Sequence, residues 1–228
     1  MVANREHYDQ MLRQLVERIG SLGDLVAESI DSSMQALEHQ NRTEARRIVD
    51  RDNEIDQERY LIERDTLTLI ATQQPLAGDL RVLIAVLAIA TELERIGDYS
   101  EGIATLVLRL GEQPIRSGLE EIHEMAALTE SLLRQAVRAF CERDLEAAGD
   151  VWVRDDEVDV LYERVFRRLL NEMLDDRATI PINTYLLWVA HNVERMADRV
   201  GNLAERVAFV VTGNGATFYE GRSSAGAE

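Results

Sequence analysis

Thr91-Glu92-Leu93-Glu94-Arg95-Ile96-Gly97-Asp98-Tyr99-Ser100-Glu101 has a counterpart a hundred residues on, Asn192-Val193-Glu194-Arg195-Met196-Ala197-Asp198-Arg199-Val200-Gly201-Asn202. Both read Glu-Arg-apolar-small-Asp, so Glu94 and Asp98 recur as Glu194 and Asp198. A spacing of i, i+4 stacks each pair of carboxylates on one face of a helix. Like charges so placed weaken a helix by about 0.2–0.5 kcal/mol. Carrying that cost twice implies a compensating cation, either an arginine or a metal ion.

Heptad columns through these acids show which face they occupy. Glu94 shares a column with Leu87, Glu101 and Leu108, and Asp98 with Ile84, Thr91 and Thr105; in the second copy Glu194 stands with Leu187, Gly201 and Ala208, and Asp198 with Thr184, His191 and Glu205. Acids stand in columns that otherwise carry apolar or small residues, which predicts that they face a partner helix and must be paired there.

Working outward, apolar residues from Tyr8 to Leu37 recur in steps of three and four, the signature of a long amphipathic helix. A second helix is predicted from about residue 43 to 73. After a turn at Pro75 and Gly78 a third follows, with Asp79 as its expected N-cap, and reaches Leu110. Gly111 to Gly118 reads as a connection. Three more helices follow, over about 119–141, 145–175 and from Thr179–Pro181 to Thr212. The middle helix of each triplet carries its own acidic motif: Asp52-Asn53-Glu54-Ile55-Asp56 and Asp155-Asp156-Glu157-Val158-Asp159. Features repeated in the same order argue for an internal duplication. The expected fold is therefore all-α: two tandem three-helix bundles, residues 1–112 and 117–212, related by approximate two-fold symmetry. The polar tail 213–228 is expected to be disordered.

Antiparallel hairpins about the two turns put Asp52 level with Asp98 and Asp56 with Glu94. In the second half Asp155 is level with Asp198 and Asp159 with Glu194. Four carboxylates then converge in each half. Such oxygen-rich clusters suit hard cations, Mg²⁺, Mn²⁺, Ca²⁺ or iron. Ion pairs with Arg59, Arg95, Arg195 and Arg199 would satisfy the same acids, and spacing alone does not separate the two arrangements.

The composition narrows the function. A net charge of −17 argues against nucleic acid or an anionic membrane as direct partner. The single cysteine, Cys141, excludes an internal disulfide and fits a reducing compartment. The N-terminus has no apolar signal core, and the longest apolar run, Val82 to Ala90, is nine residues, too short to span a bilayer. A cytoplasmic location is expected. No nucleophile elbow or phosphate-cradling glycine loop occurs, and Cys141 lies beside Glu142, so no enzyme activity is expected. A di-iron oxidase needs two Glu-x-x-His units; only Glu120-x-x-His123 has that order, and His191 precedes Glu194. Trp152 and Trp188 fall at helical spacing and are read as core. Long helices with few aromatics leave apolar strips that a symmetric homodimer would cover.

These motifs and the two-times-three helix plan resemble the PhoU family over residues 5 to 212. PhoU proteins are accessory and regulatory proteins of bacterial high-affinity phosphate transport. The resemblance implies metal binding, as iron, zinc, manganese or magnesium, with Glu94, Asp98, Glu194 and Asp198 as ligands and Asp52, Asp56, Asp155 and Asp159 as the facing set. It implies as partners the ATPase subunit of a phosphate ABC transporter and a sensor histidine kinase, and a negative regulatory role in the phosphate-starvation response. Metal storage without a signalling role is the alternative. Ala197, where the first copy has Gly97, removes a little backbone room at the second site.

Overall fold

The computed structural model describes residues 2–111, 114–115, 117–214 and 217–218, with the side chains of residues 2–4 not among them. Among the described residues there are six long helices: α1 (Val2–Glu38), α2 (Arg42–Gln73), α3 (Ala77–Leu110), α4 (Leu119–Glu142), α5 (Leu145–Asp175) and α6 (Ile180–Thr212), with a 3₁₀ turn at Arg177–Thr179 before α6. Among the described residues there is no strand.

Short polar turns set the hairpins. Asn41 caps α2 by accepting from the Glu44 N–H, and Asp144 caps α5 by accepting from the Ala147 N–H; both satisfy amides that lack an intrahelical acceptor. The expected cap at Asp79 is not used. Leu76 holds the N-cap position of α3 without a side-chain bond, and Asp79, in the first turn, accepts from Arg5 of α1 at 3.0 Å. The helix begins at Ala77, ahead of Asp79, so that carboxylate lies inside the first turn and pairs with Arg5 instead.

Helices α1, α2 and α3 pack on one another, as do α4, α5 and α6; between the halves α1 meets α4 and α3 meets α6. Exchanging the halves leaves this pattern unchanged, as an approximate two-fold relation requires. The buried apolar residues of both halves run together into one core. Where α1 meets α4, a Cβ on Gly23 would lie 2.7 Å from Val137 Cγ2, so only glycine permits this approach. Gly118, at the end of the connection, has φ +82° and faces Leu169 Cδ2 at 2.8 Å from where a Cβ would stand. Both its left-handed backbone and its close packing require glycine.

Two expectations are corrected. Trp188 is 57% exposed, not core, whereas Trp152 packs partly buried against the core. Helical periodicity fixes spacing along the helix but not which flank faces water. The tail is not wholly without structure: the Phe218 ring stacks on Trp152 with centroids 5.5 Å apart. The rest of that expectation, on residues 215–216 and 219–228, lies outside the described residues.

Candidate functional site

Helices α2 and α3 run side by side in the first half, and α5 and α6 in the second. Along the first seam Asp52, Asp56 and Asp98 each present a carboxylate oxygen, and these oxygens all lie within 4.8 Å of one another. Ile55 between the two α2 acids is buried, and so are Ile96 and Gly97 beside Asp98. A buried anchor next to exposed or half-exposed acids holds both helices in register and leaves the carboxylates at the mouth of the seam. A Cβ on Gly97 would stand 2.9 Å from Ile55 Cδ1 and 3.5 Å from Asp52 Oδ1, so glycine sets the helix approach here. In the second half Val158 stands where Ile55 does, one carbon smaller, matching the extra methyl of Ala197. Gly201 gives the room there, with Asp155 Oδ2 only 2.9 Å from a Cβ position.

The acids do face a partner helix, as their heptad columns predicted, but they do not enter the core. They line its rim, with Asp56, Asp98 and Asp159 exposed and Asp52, Glu94, Asp155, Glu194 and Asp198 half-buried. A column bordering the apolar stripe carries apolar residues at some turns and polar ones at others, so periodicity overstates its burial.

The electrostatics are those of crowded carboxylates. Burial, and then the charges of Asp98 and Asp56, push the Asp52 carboxyl up to about 6. Asp155 is pushed up to about 7 by burial and then by Asp198 and Asp159. Glu94, Asp98, Asp159 and Glu194 are raised as well, each by burial first and by a neighbouring carboxylate next. Desolvation and like charge both disfavour ionisation, so each seam holds more negative charge than it can carry uncompensated.

Arginines compensate part of it. Arg59 lies 3.5 Å from Glu94, and Arg195 lies 3.2 Å from Asp198. Arg199 pairs instead with Glu92 across the α3–α6 contact. Among the described residues no arginine forms an ion pair with Asp52, Asp56, Asp98, Asp155 or Asp159. His191 Nδ1 stands 3.4 Å from Glu194 Oε2, which is buried and takes no hydrogen bond. His123, the histidine of the lone Glu-x-x-His unit, contacts the Leu119 carbonyl and Glu38, away from both seams.

The donor set fits a hard cation. Carboxylate oxygens on opposite sides of an ion bound at 2.0–2.6 Å stand about 4–5 Å apart, the span of the aspartate triad. Among the described residues the second-seam acids Asp155, Asp159, Glu194 and Asp198 form no such group of three within that span, and Asp198 pairs with Arg195 at 3.2 Å.

Periodicity missed one further feature. Tyr162 and Trp188 line a pocket of about 340 Å³ with Thr184, Leu187 and His191, next to the second acid cluster. Comparing Trp188 with Ala88, its counterpart in the repeat, would have flagged it.

Matches to known proteins follow the same architecture. The PhoU domain model matches residues 19–107 and again 122–207. The chain is 35% identical over 210 residues to the phosphate-specific transport system accessory protein PhoU homolog of Clostridium acetobutylicum, covering 92% of this chain and 96% of that one. It is also 35% identical over 207 residues to the homolog from Caulobacter vibrioides, covering 90% of each. Among solved structures, the phosphate transport system regulatory protein PhoU from Streptococcus pneumoniae superposes with a TM-score of 0.85 at 30% identity, covering 91% of this chain and 98% of that one. PhoU from Pseudomonas aeruginosa gives 0.86 at 27% identity, covering 91% of this chain and 100% of that one.

Proposed function

The chain belongs to the PhoU family, and from that premise we propose that it is a metal-binding regulator of phosphate-specific transport, acting by docking rather than by catalysis. The observation that carries the metal part is the aspartate triad within 4.8 Å, left without an arginine partner. Asp52, Asp56 and Asp98 form the heart of the first centre, with Glu94 at its edge. Asp155, Asp159 and Asp198 form the second, with Glu194 at its edge. A divalent or trivalent ion, as iron, zinc, manganese or magnesium, would neutralise each cluster and tie α2 to α3 and α5 to α6.

The docking part follows from shape and charge. Twelve thousand Å² of helical surface (12075 Å²) carries a net charge of −17, and among the described residues no helix is long and apolar enough to cross a membrane. In this reading the protein works on the cytoplasmic side. It binds the ATPase subunit of the phosphate transporter, joins it to a sensor histidine kinase, and holds the starvation response off when phosphate is plentiful. The metal-neutralised seams keep the docking faces rigid. The deciding experiment is affinity purification of the tagged chain from its host with elemental analysis. Recovery of the transporter ATPase and at least one ion per chain is expected. Recovery of metal without the ATPase would favour metal storage; absence of both would refute the proposal.

A further inference from the structure

The internal repeat supplies its own control for the second seam. In the first half Arg59 projects from α2, lies 3.5 Å from Glu94 and donates to Glu63 at 2.9 Å. Matching the two acidic motifs places Tyr162 where Arg59 stands, and Phe166 where Glu63 stands. Tyrosine brings no positive charge, and Glu194 keeps a buried Oε2 without a hydrogen bond, with His191 3.4 Å away and the charge of Arg195 acting on it as well. On α6, Trp188 and His191 replace Ala88 and Thr91.

These exchanges build a recess. Tyr162 and His191 have ring centroids 6.3 Å apart, Trp188 and His191 6.0 Å, and Tyr162 and Phe166 6.3 Å. The lining leaves room of about 340 Å³. Trp188 is 57% exposed and Phe166 38%, and Leu170, one turn beyond Phe166 on α5, is exposed as well. The first-half counterpart of Leu170, Leu67, is exposed too; Phe166 in place of Glu63 and Trp188 in place of Ala88 are what set the second half apart. Aromatic faces attract cations, arginine most often, and exposed Trp and Tyr beside apolar residues mark the centres of protein interfaces.

We propose that the Tyr162–Trp188–His191 recess receives an arginine or lysine side chain of a protein partner, which supplies to the second half the cation that Arg59 supplies to the first. The partner segment presents that cation amid apolar side chains, which cover Phe166 and Leu170. The cationic head lies against the exposed Trp188 ring beside Tyr162, in the field of Glu194. The inference rests on the reading that the chain works by docking onto a protein, and it names the chemistry and the face.

The test is fluorescence anisotropy with a labelled amphipathic helical peptide of leucine, alanine and arginine. A second peptide carries glutamate in place of arginine. Wild type is expected to bind the arginine peptide saturably and not the glutamate peptide. Trp188→Ala is expected to weaken binding at least tenfold. Tyr162→Arg, which supplies the cation from within, is expected to do the same with an unchanged circular dichroism spectrum and unchanged metal content. No saturable binding to wild type at millimolar peptide, equal binding to both variants, or equal binding of the glutamate peptide would each overturn the proposal. Joint loss of peptide and metal in Tyr162→Arg would assign the effect to the metal centre and overturn it too. Peptide binding at this recess alongside failure to recover the transporter ATPase would refute the transport reading and leave this one standing.

Discussion

Asp52 on α2 and Asp98 on α3 bring carboxylate oxygens within 4.8 Å of each other across the first seam, with Asp56 completing the group. No charge opposes them at ion-pair distance among the described residues. Replacing Asp98 with alanine is therefore expected to lower metal content in the first half only. Asp98→Ala combined with Asp198→Ala is expected to remove most of it. Elemental analysis of protein purified without chelator measures both, and less than one ion per wild-type chain would refute the metal centres.

Removing metal should change stability with a definite sign in pH. Asp52 and Asp155 titrate at about 6 and about 7 in the folded chain, above the ordinary aspartate value of 3.8. The folded state then holds protons that the unfolded state releases, so stability falls as pH rises between the two values. The penalty is absent below about pH 4 and complete above about pH 7. EDTA-treated protein is expected to resist urea better at pH 5 than at pH 7.5, whereas metal-loaded protein should show a smaller difference. A chelated protein more stable at the higher pH would contradict the crowding of these acids.

An opposite limb is set at the start of α4. Glu172 accepts from Ser117 and from Asn183, which hold its carboxyl below the usual range. That contribution is present above the ordinary glutamate value of 4.5 and is lost as pH falls through the lowered one. Asn183 is buried and also donates to the Leu169 carbonyl. Asn183→Leu is expected to cost about 1–3 kcal/mol by leaving these acceptors short of a donor. Urea unfolding at pH 7 checks it.

The glycine contacts predict the largest effects for the smallest changes. Gly118→Ala places a methyl group on Leu169 at a left-handed position, and Gly23→Ala places one on Val137 between α1 and α4. Each is expected to destabilise by about 1–3 kcal/mol through overpacking or backbone strain. A compensating Val137→Ala should restore most of the Gly23→Ala loss, and a double-mutant cycle measures that coupling.

Most of the helix plan was legible from the chain. Steps of three and four from Tyr8 to Leu37 place α1, and Pro75, Gly111 and Gly118 bound the turns; helix ends read from such signals agree with the structure to within a residue or two for α2, α4 and α5. The repeated acidic motifs also placed Asp52 near Asp98, because hairpin register is simple when both helices are long. What periodicity could not give was the azimuth of a column relative to water. Trp188 and the acids at 94 and 98 sit on the border of the buried stripe, where a rotation of about 20° per heptad decides exposure. Arg59 was visible only as one of four arginines that could pair with the acids; its place beside Glu94, and its absence from the second half, become informative once both seams are superposed.

The contact pattern also carries a history. Helix α1 meets α4, its own counterpart, and α3 meets α6, likewise its counterpart. Both contacts between the halves thus join like to like, the hallmark of an isologous association. A chain made of one repeat would present the same two surfaces and could close on a copy of itself about that axis. Covalent fusion frees such a pair from the obligation to stay identical. It is this freedom that lets one half carry Arg59 where the other carries Tyr162.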